Sequence, residues 1–265
     1  MNNPFRADWG SRTYVMGVLN VTPDSFSGDG IIGDAEAVAR RAGACRDAGS
    51  DVIDIGGEST RPGYSPVPLE EEMERVIPAI EAAAATVDVP VSVDTSKVEV
   101  ARRALQAGAS IVNDVSGASS DAMLRLVAAR GAGLVLVHHG RGRPGEDVVG
   151  MVLEGLEREI DRACRAGVAF DSIVVDPGLG FGKTWRENFE IFRRLPELKS
   201  LGRPILTGPS RKGMIGKVLG VGVTDRREGT LALVTLSIAG GADMVRVHDV
   251  REMARAARMT DALTR

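Results

Sequence analysis

The chain has almost no cysteine: Cys45 and Cys164 are the only two in 265 residues. Their spacing fits no metal motif, and both sit in helix-like segments, so they read as buried, reduced thiols of a cytoplasmic protein. Charge of one sign is also lacking. The net charge of −3 gives no global attraction for nucleic acid, although a local pocket can still be basic. No apolar run approaches membrane-spanning length, and residues 1–12 lack the apolar core of a signal peptide. Neither nucleic acid nor membrane is expected as a partner.

Two glycine motifs are incomplete. The chain carries Asp176-Pro177-Gly178-Leu179-Gly180-Phe181-Gly182-Lys183-Thr184, whose Gly-Lys-Thr end resembles a phosphate-cradling loop. That loop needs a glycine five residues before Gly182, and Pro177 stands there, without an N–H to offer a phosphate. The glycine fingerprint of a dinucleotide-binding sheet is missing after the first strand.

What is present is a repeated alternation. Apolar strands are expected at residues 13–20, 51–57, 89–95, 110–116, 133–139, 173–176, 204–209 and 243–248. Helices are expected at 34–48, 70–85, 97–107, 121–130, within 149–166, at 185–195, near 227–239 and at 250–263. Strands apolar on both faces belong to parallel sheets covered by helices. Eight such units in one chain predict a single-domain (β/α)8 TIM barrel, with its core over about 13–263.

Barrel sites lie at the C-terminal strand ends. Here these ends carry Asn20, Glu58, Asp94, Asn113-Asp114, His138-His139, Asp176, Ser210-Arg211-Lys212, Arg246 and His248. Asp94, Asn113 and Asp176 suit a ligand offering several N–H donors, such as a fused nitrogen heterocycle; a divalent-metal carboxylate cluster is the alternative. Lys212, Arg246 and His248, with Asn20, form a basic side fit for phosphate. Alternatively, Arg246 pairs with a neighbouring carboxylate and His248 caps the last helix. Two long loops, 22–33 and 58–68, read as lids. No Ser–His–Asp or Cys–His pair stands out.

The same segments carry a resemblance. Met16-Gly17-Val18-Leu19-Asn20-Val21-Thr22-Pro23-Asp24-Ser25-Phe26-Ser27 and Asp54-Ile55-Gly56-Gly57-Glu58-Ser59-Thr60-Arg61-Pro62-Gly63 resemble the first two signatures of the dihydropteroate synthase family. Ser92-Val93-Asp94-Thr95, Asn113-Asp114, the 176–183 stretch, Ser210-Arg211-Lys212 and Arg246-Val247-His248-Asp249 follow in the family's order. The resemblance covers about residues 15–262.

It implies a TIM barrel, usually a homodimer, acting in folate biosynthesis. The family joins 6-hydroxymethyl-7,8-dihydropterin pyrophosphate to p-aminobenzoate, releasing pyrophosphate and 7,8-dihydropteroate, and sulfonamides compete for the amine site. By matched position, Asp94, Asn113, Asp176 and Lys212 would hold the pterin. Asn20, Arg246 and His248 would hold the pyrophosphate, with Mg²⁺ near Asn20. Thr60, Arg61, Pro62, Phe181, Ser210 and Lys212 would shape the amine site, and Asp94, Asp176, Lys212 and Arg61 would carry the catalysis. A pterin-binding methyltransferase and a non-catalytic paralogue are the alternatives. Two departures from the family pattern stand out. Asp29 is shifted by one position relative to the paired glycines, and His139 stands where an apolar wall residue beside the pterin is usual.

Overall fold

The computed structural model describes residues 4–22, 34–58, 66–117, 119–141 and 145–265. Eight parallel strands form one sheet: β1 (Tyr14–Asn20), β2 (Val52–Gly56), β3 (Val91–Asp94), β4 (Ile111–Asp114), β5 (Gly133–Val137), β6 (Ile173–Asp176), β7 (Leu206–Thr207) and β8 (Met244–Val247). Their order is β6-β5-β4-β3-β2-β1-β8-β7. A bridge between Val175 and Ile205 joins the two end strands, with Val175 N donating to Pro204 O at 3.0 Å, so the sheet closes into the expected barrel. The β7 strand is shorter than the sequence pattern predicts. Pro204 and Pro209 flank it without N–H groups, and the β7–β8 register pairs only Leu206 and Thr207.

The outer layer is α1 (Ala35–Asp47), α2 (Leu69–Thr86), α3 (Val98–Gln106), α4 (Asp121–Arg130), α5 (Val148–Arg165), α6 (Trp185–Arg193), α7 (Gly213–Leu219), α8 (Arg227–Ala239) and α9 (Val250–Thr264). Asp34 caps α1 by accepting from Ala37 N at 2.9 Å, as its sequence position predicts. The short α7 between β7 and α8 is an addition to the predicted pattern. Among the described residues no helix is long and apolar enough to cross a membrane.

Side-chain alternation divides the core. Leu19, Ile53, Ile55, Val93, Val112, Leu134, Leu136, Ile173 and Val175 face outward and pack with the helices. Tyr14, Met16, Val52, Ile111, Val135, Val137, Val174, Leu206 and Met244 have the opposite parity and fill the barrel. Phe5, 1% exposed, joins this inner cluster from below, and Gly133 gives its ring room: a Cβ there would lie 2.8 Å from the ring. Trp9 stands between the Phe5 and Tyr14 rings, at 5.7 and 5.2 Å. The leading segment is therefore a floor plug. The thiols also differ from expectation: Cys45 is half-buried and packs against the core, and Cys164 is exposed.

Candidate active site

The inner parity that carries apolar residues at the floor carries polar ones at the mouth. Asp54, Asp94, Asn113, Asp176 and Arg246 occupy it on β2, β3, β4, β6 and β8. The guanidinium of Arg246 joins two of the carboxylates: Nε donates to Asp54 Oδ2 and Nη2 to Asp94 Oδ2, both at 2.6 Å. Asn113 Nδ2 donates to the same Asp54 oxygen at 3.1 Å. Asp54 is thus the hub of the site, fully buried, and the strand-end reading passed over it because it lies two residues before the end of β2. Its signal was present: a carboxylate in the run Val52-Ile53-Asp54-Ile55, in phase with the inward face.

These contacts leave three buried acceptors without a donor among the described residues: Asp54 Oδ1, Asp94 Oδ1 and Asn113 Oδ1, on three adjacent strands. Buried acceptors of this kind are costly unless something donates to them. Burial pushes the Asp94 carboxyl up to about 7 against the pull of Arg246, and raises Asp176 against the Gly178 N–H, which donates to Asp176 Oδ1 at 2.7 Å.

The loop after β6 explains the Gly-Lys-Thr end. Gly178 has φ +69°, and a Cβ there would lie 1.7 Å from the His138 carbonyl oxygen, so only glycine fits. Lys183 is 8% exposed and donates to the carbonyls of His138 (3.1 Å), Gly178 (3.1 Å) and Phe181 (3.3 Å). It latches this loop to the end of β5. Thr184 and Glu187 form a capping box that starts α6. Asn188 reads the loop back, accepting from Gly180 N at 2.9 Å and donating to Thr184 O at 2.8 Å.

Phe181 is placed by this loop beside Lys212, whose Nζ lies 4.4 Å from the ring centroid, a cation–π contact. On its other neighbouring side is His139, with ring centroids 5.6 Å apart. His139 therefore bears on Phe181, the expected amine-site wall. His138 points the other way, beneath α5, where a Cβ on Gly155 would lie 2.6 Å from its ring; burial lowers its pKa to about 4.

Of the expected phosphate ligands, Arg246 meets carboxylates first, which is the arrangement of the alternative reading, though its side chain keeps 21% exposure. His248 lies one residue past β8, its Nδ1 3.0 Å from Ser210 Oγ, and its backbone N donates to the same oxygen at 3.2 Å. Ser210, expected at the amine site, thus also fixes His248. Asn20 ends β1, half-buried, paired in register with Gly56. Thr60, Arg61, Pro62 and Asp29 lie outside the described residues. Glu58, one of the strand-end residues, and Glu72 both accept from Lys97 Nζ, and Thr95 Oγ1 donates to Glu72 at 2.6 Å; Glu72 and Lys97 lie outside the strand ends.

Comparison with known proteins agrees with this geometry. Residues 16–248 match the model of the family described as pterin binding enzyme. A dihydropteroate synthase from Synechocystis sp. is 46% identical over 97% of this chain and 92% of its own length. The chain belongs to the dihydropteroate synthase family. The crystal structure of a Clostridium difficile dihydropteroate synthase, obtained in the presence of pteroic acid, superposes with a TM-score of 0.92 at 46% identity, covering 98% of this chain and 99% of that one. A Xanthomonas albilineans dihydropteroate synthase with 4-aminobenzoic acid gives 0.88 at 41% identity, covering 95% and 93%. Membership at this identity and coverage makes the chain a dihydropteroate synthase-type enzyme of folate biosynthesis.

Proposed function

We propose that the barrel mouth condenses 6-hydroxymethyl-7,8-dihydropterin pyrophosphate with p-aminobenzoate by dissociative substitution at the pterin methylene. The observation that carries this reading is the row of unmatched acceptors, Asp54 Oδ1, Asp94 Oδ1 and Asn113 Oδ1. The pyrimidine edge of a dihydropterin offers the N–H groups they lack. Asp176 and Lys212 complete the pterin set. Lys212, Phe181 and Ser210 serve the amine, together with Thr60, Arg61 and Pro62, which lie outside the described residues.

In this reading Asn20, Arg246 and His248 take the pyrophosphate, and cations neutralise its charge as it leaves. The methylene left behind is stabilised by the electron-rich ring and by the anionic oxygens of Asp94 and Asp176. Neutral p-aminobenzoate is already nucleophilic, so no strong general base is needed. Pterin binds first, and Arg61 and its loop exclude water from the cation. Asn20, at the end of β1, would hold Mg²⁺ through its hard amide oxygen. Bound there, it would supply charge neutralisation of the leaving group.

The chain works as one barrel domain in the cytoplasm and pairs as a homodimer. Exposed Val218 and Leu219 on α7, Leu231 and Leu236 on α8, and Met259 and Leu263 on α9 support a covered face on these helices. The test of the function is pyrophosphate release from the pterin pyrophosphate with Mg²⁺. Release that depends on p-aminobenzoate is expected; its absence would overturn the reading.

A further inference from the structure

We propose that Arg211 is a positioning residue: its ion pair with Asp249 locks the loop after β7 to the loop after β8 and so places Lys212 relative to Arg246 and His248. This rests on the reading of Lys212 and His248 as substrate-binding groups. Arg211 has φ +57°, one of two non-glycine residues with positive φ among the described residues. A bulky side chain in this region is strained and persists only where its surroundings over-determine it.

Three separate contacts do so here. Arg211 N donates to Thr230 Oγ1 at 3.1 Å, and Arg226 Nη1 donates to Arg211 O at 2.9 Å. The side-chain fork donates to both Asp249 oxygens, Nε to Oδ2 at 3.1 Å and Nη2 to Oδ1 at 2.7 Å. The Asp249 side chain is 9% exposed. Burial works against its charge, yet the Arg211 fork outweighs it and holds the carboxyl below its ordinary value; Arg227 adds a weaker contact at 3.8 Å.

The pairing is in register with the neighbouring residues. Ser210 meets His248, and the next residue on each loop, Arg211, meets Asp249. Two loops that carry ligand groups are thus joined by two consecutive ties. The strained backbone turns the chain so that Arg211 points away to Asp249 while Lys212 points back over Phe181. A pair that served stability alone would not require a residue at positive φ between two ligand groups.

The test separates strain from pairing. Arg211→Gly removes both the strain and the fork; Asp249→Asn removes the counter-charge and leaves the backbone; Arg211→Asp with Asp249→Arg restores an opposite-charge pair, Asp being tolerated at positive φ. Two readouts are taken: amine-dependent pyrophosphate release by the unmodified protein, which tests the reaction, and Kd for the dihydropterin pyrophosphate in every variant, which tests positioning even without turnover. We expect Kd to rise about tenfold or more in both single variants, with Tm of Arg211→Gly within a few degrees of the parent, and partial recovery in the reversed pair. Kd within twofold of the parent in both singles, or binding lost only in proportion to unfolded protein, overturns the proposal.

Discussion

The floor and the mouth of the barrel are built on the same strands with the same inward parity, yet they satisfy opposite rules. At the floor Met16, Val52, Ile111, Val174 and Met244 are matched by Phe5, and the packing is complete within the chain. A short way up each strand the inward residues are Asp54, Asp94, Asn113, Asp176 and Arg246, and the hydrogen bonding is incomplete among the described residues. The floor is finished by folding, whereas the mouth waits for something to donate to it. Stability and function are thereby separated along one axis by only a few residues.

Breaking the mouth's hub should produce the largest effect. Asp54→Ala takes away the acceptor shared by Arg246 and Asn113 and leaves a buried guanidinium with one partner. Removing one member of a buried ion pair costs about 3–5 kcal/mol. We expect denaturation to show that loss and the pterin pyrophosphate kcat/KM to collapse together with it. Unchanged values of both would mean that Asp94 alone holds Arg246.

The complementary change is at the floor. Phe5→Ala empties a ring-sized space beside Gly133 and should cost about 3 kcal/mol, near the lower end for buried aromatic truncations, because the plug can partly collapse. Activity per folded molecule should be preserved. A fall in kcat/KM measured at full occupancy of the folded state would show that floor and mouth are coupled, against the separation argued above.

How far the sequence revealed this division varies by element. Strand count, closure and the helix starts follow from periodicity and capping residues, as Asp34 and α1 illustrate. Prolines at 204 and 209 also made the short β7 legible in principle. Asp94 and Asp176 end their strands and Asn113 stands one residue before the end of β4, so a strand-end rule reaches all three. It does not reach Asp54, since a rule that looks only at strand ends ignores parity deeper in. Lys183 and Arg211 could not be read at all: their partners are backbone carbonyls and a carboxylate that become neighbours only after the loops fold across each other.

A third prediction uses protonation at the mouth. Burial raises Asp94 from 3.8 up to about 7, so the folded state binds a proton in that interval that the unfolded chain does not. Its contribution to stability is therefore greatest at low pH and fades as pH rises through about 7. Pterin capture needs the carboxylate and runs the other way, weakening as pH falls through about 7. Asp94→Asn should lower kcat/KM for the pterin pyrophosphate about a hundredfold and abolish this acid limb, while KM for p-aminobenzoate changes little. An acid limb that survives in the variant would assign it to another group.

The smallest effect is expected where the two regimes meet, at the loop latch. Lys183 is a buried cation whose three partners are neutral carbonyls, and burial lowers its pKa from 10.5 to about 8. Between about pH 8 and 10.5 the unfolded chain binds a proton that the folded state has released, so stability should rise with pH across this window. Lys183→Met keeps the apolar stem and removes both the bonds and the titration. At neutral pH it should cost about 1–2 kcal/mol through the unmet carbonyls, offset in part by relief of the buried charge. The alkaline rise in Tm should vanish, and KM for p-aminobenzoate should increase as Phe181 loses its fixed loop. A variant that kept the alkaline rise would place the titrating group elsewhere, and one that kept KM unchanged would show that the capping box of Thr184 and Glu187 holds Phe181 without the latch.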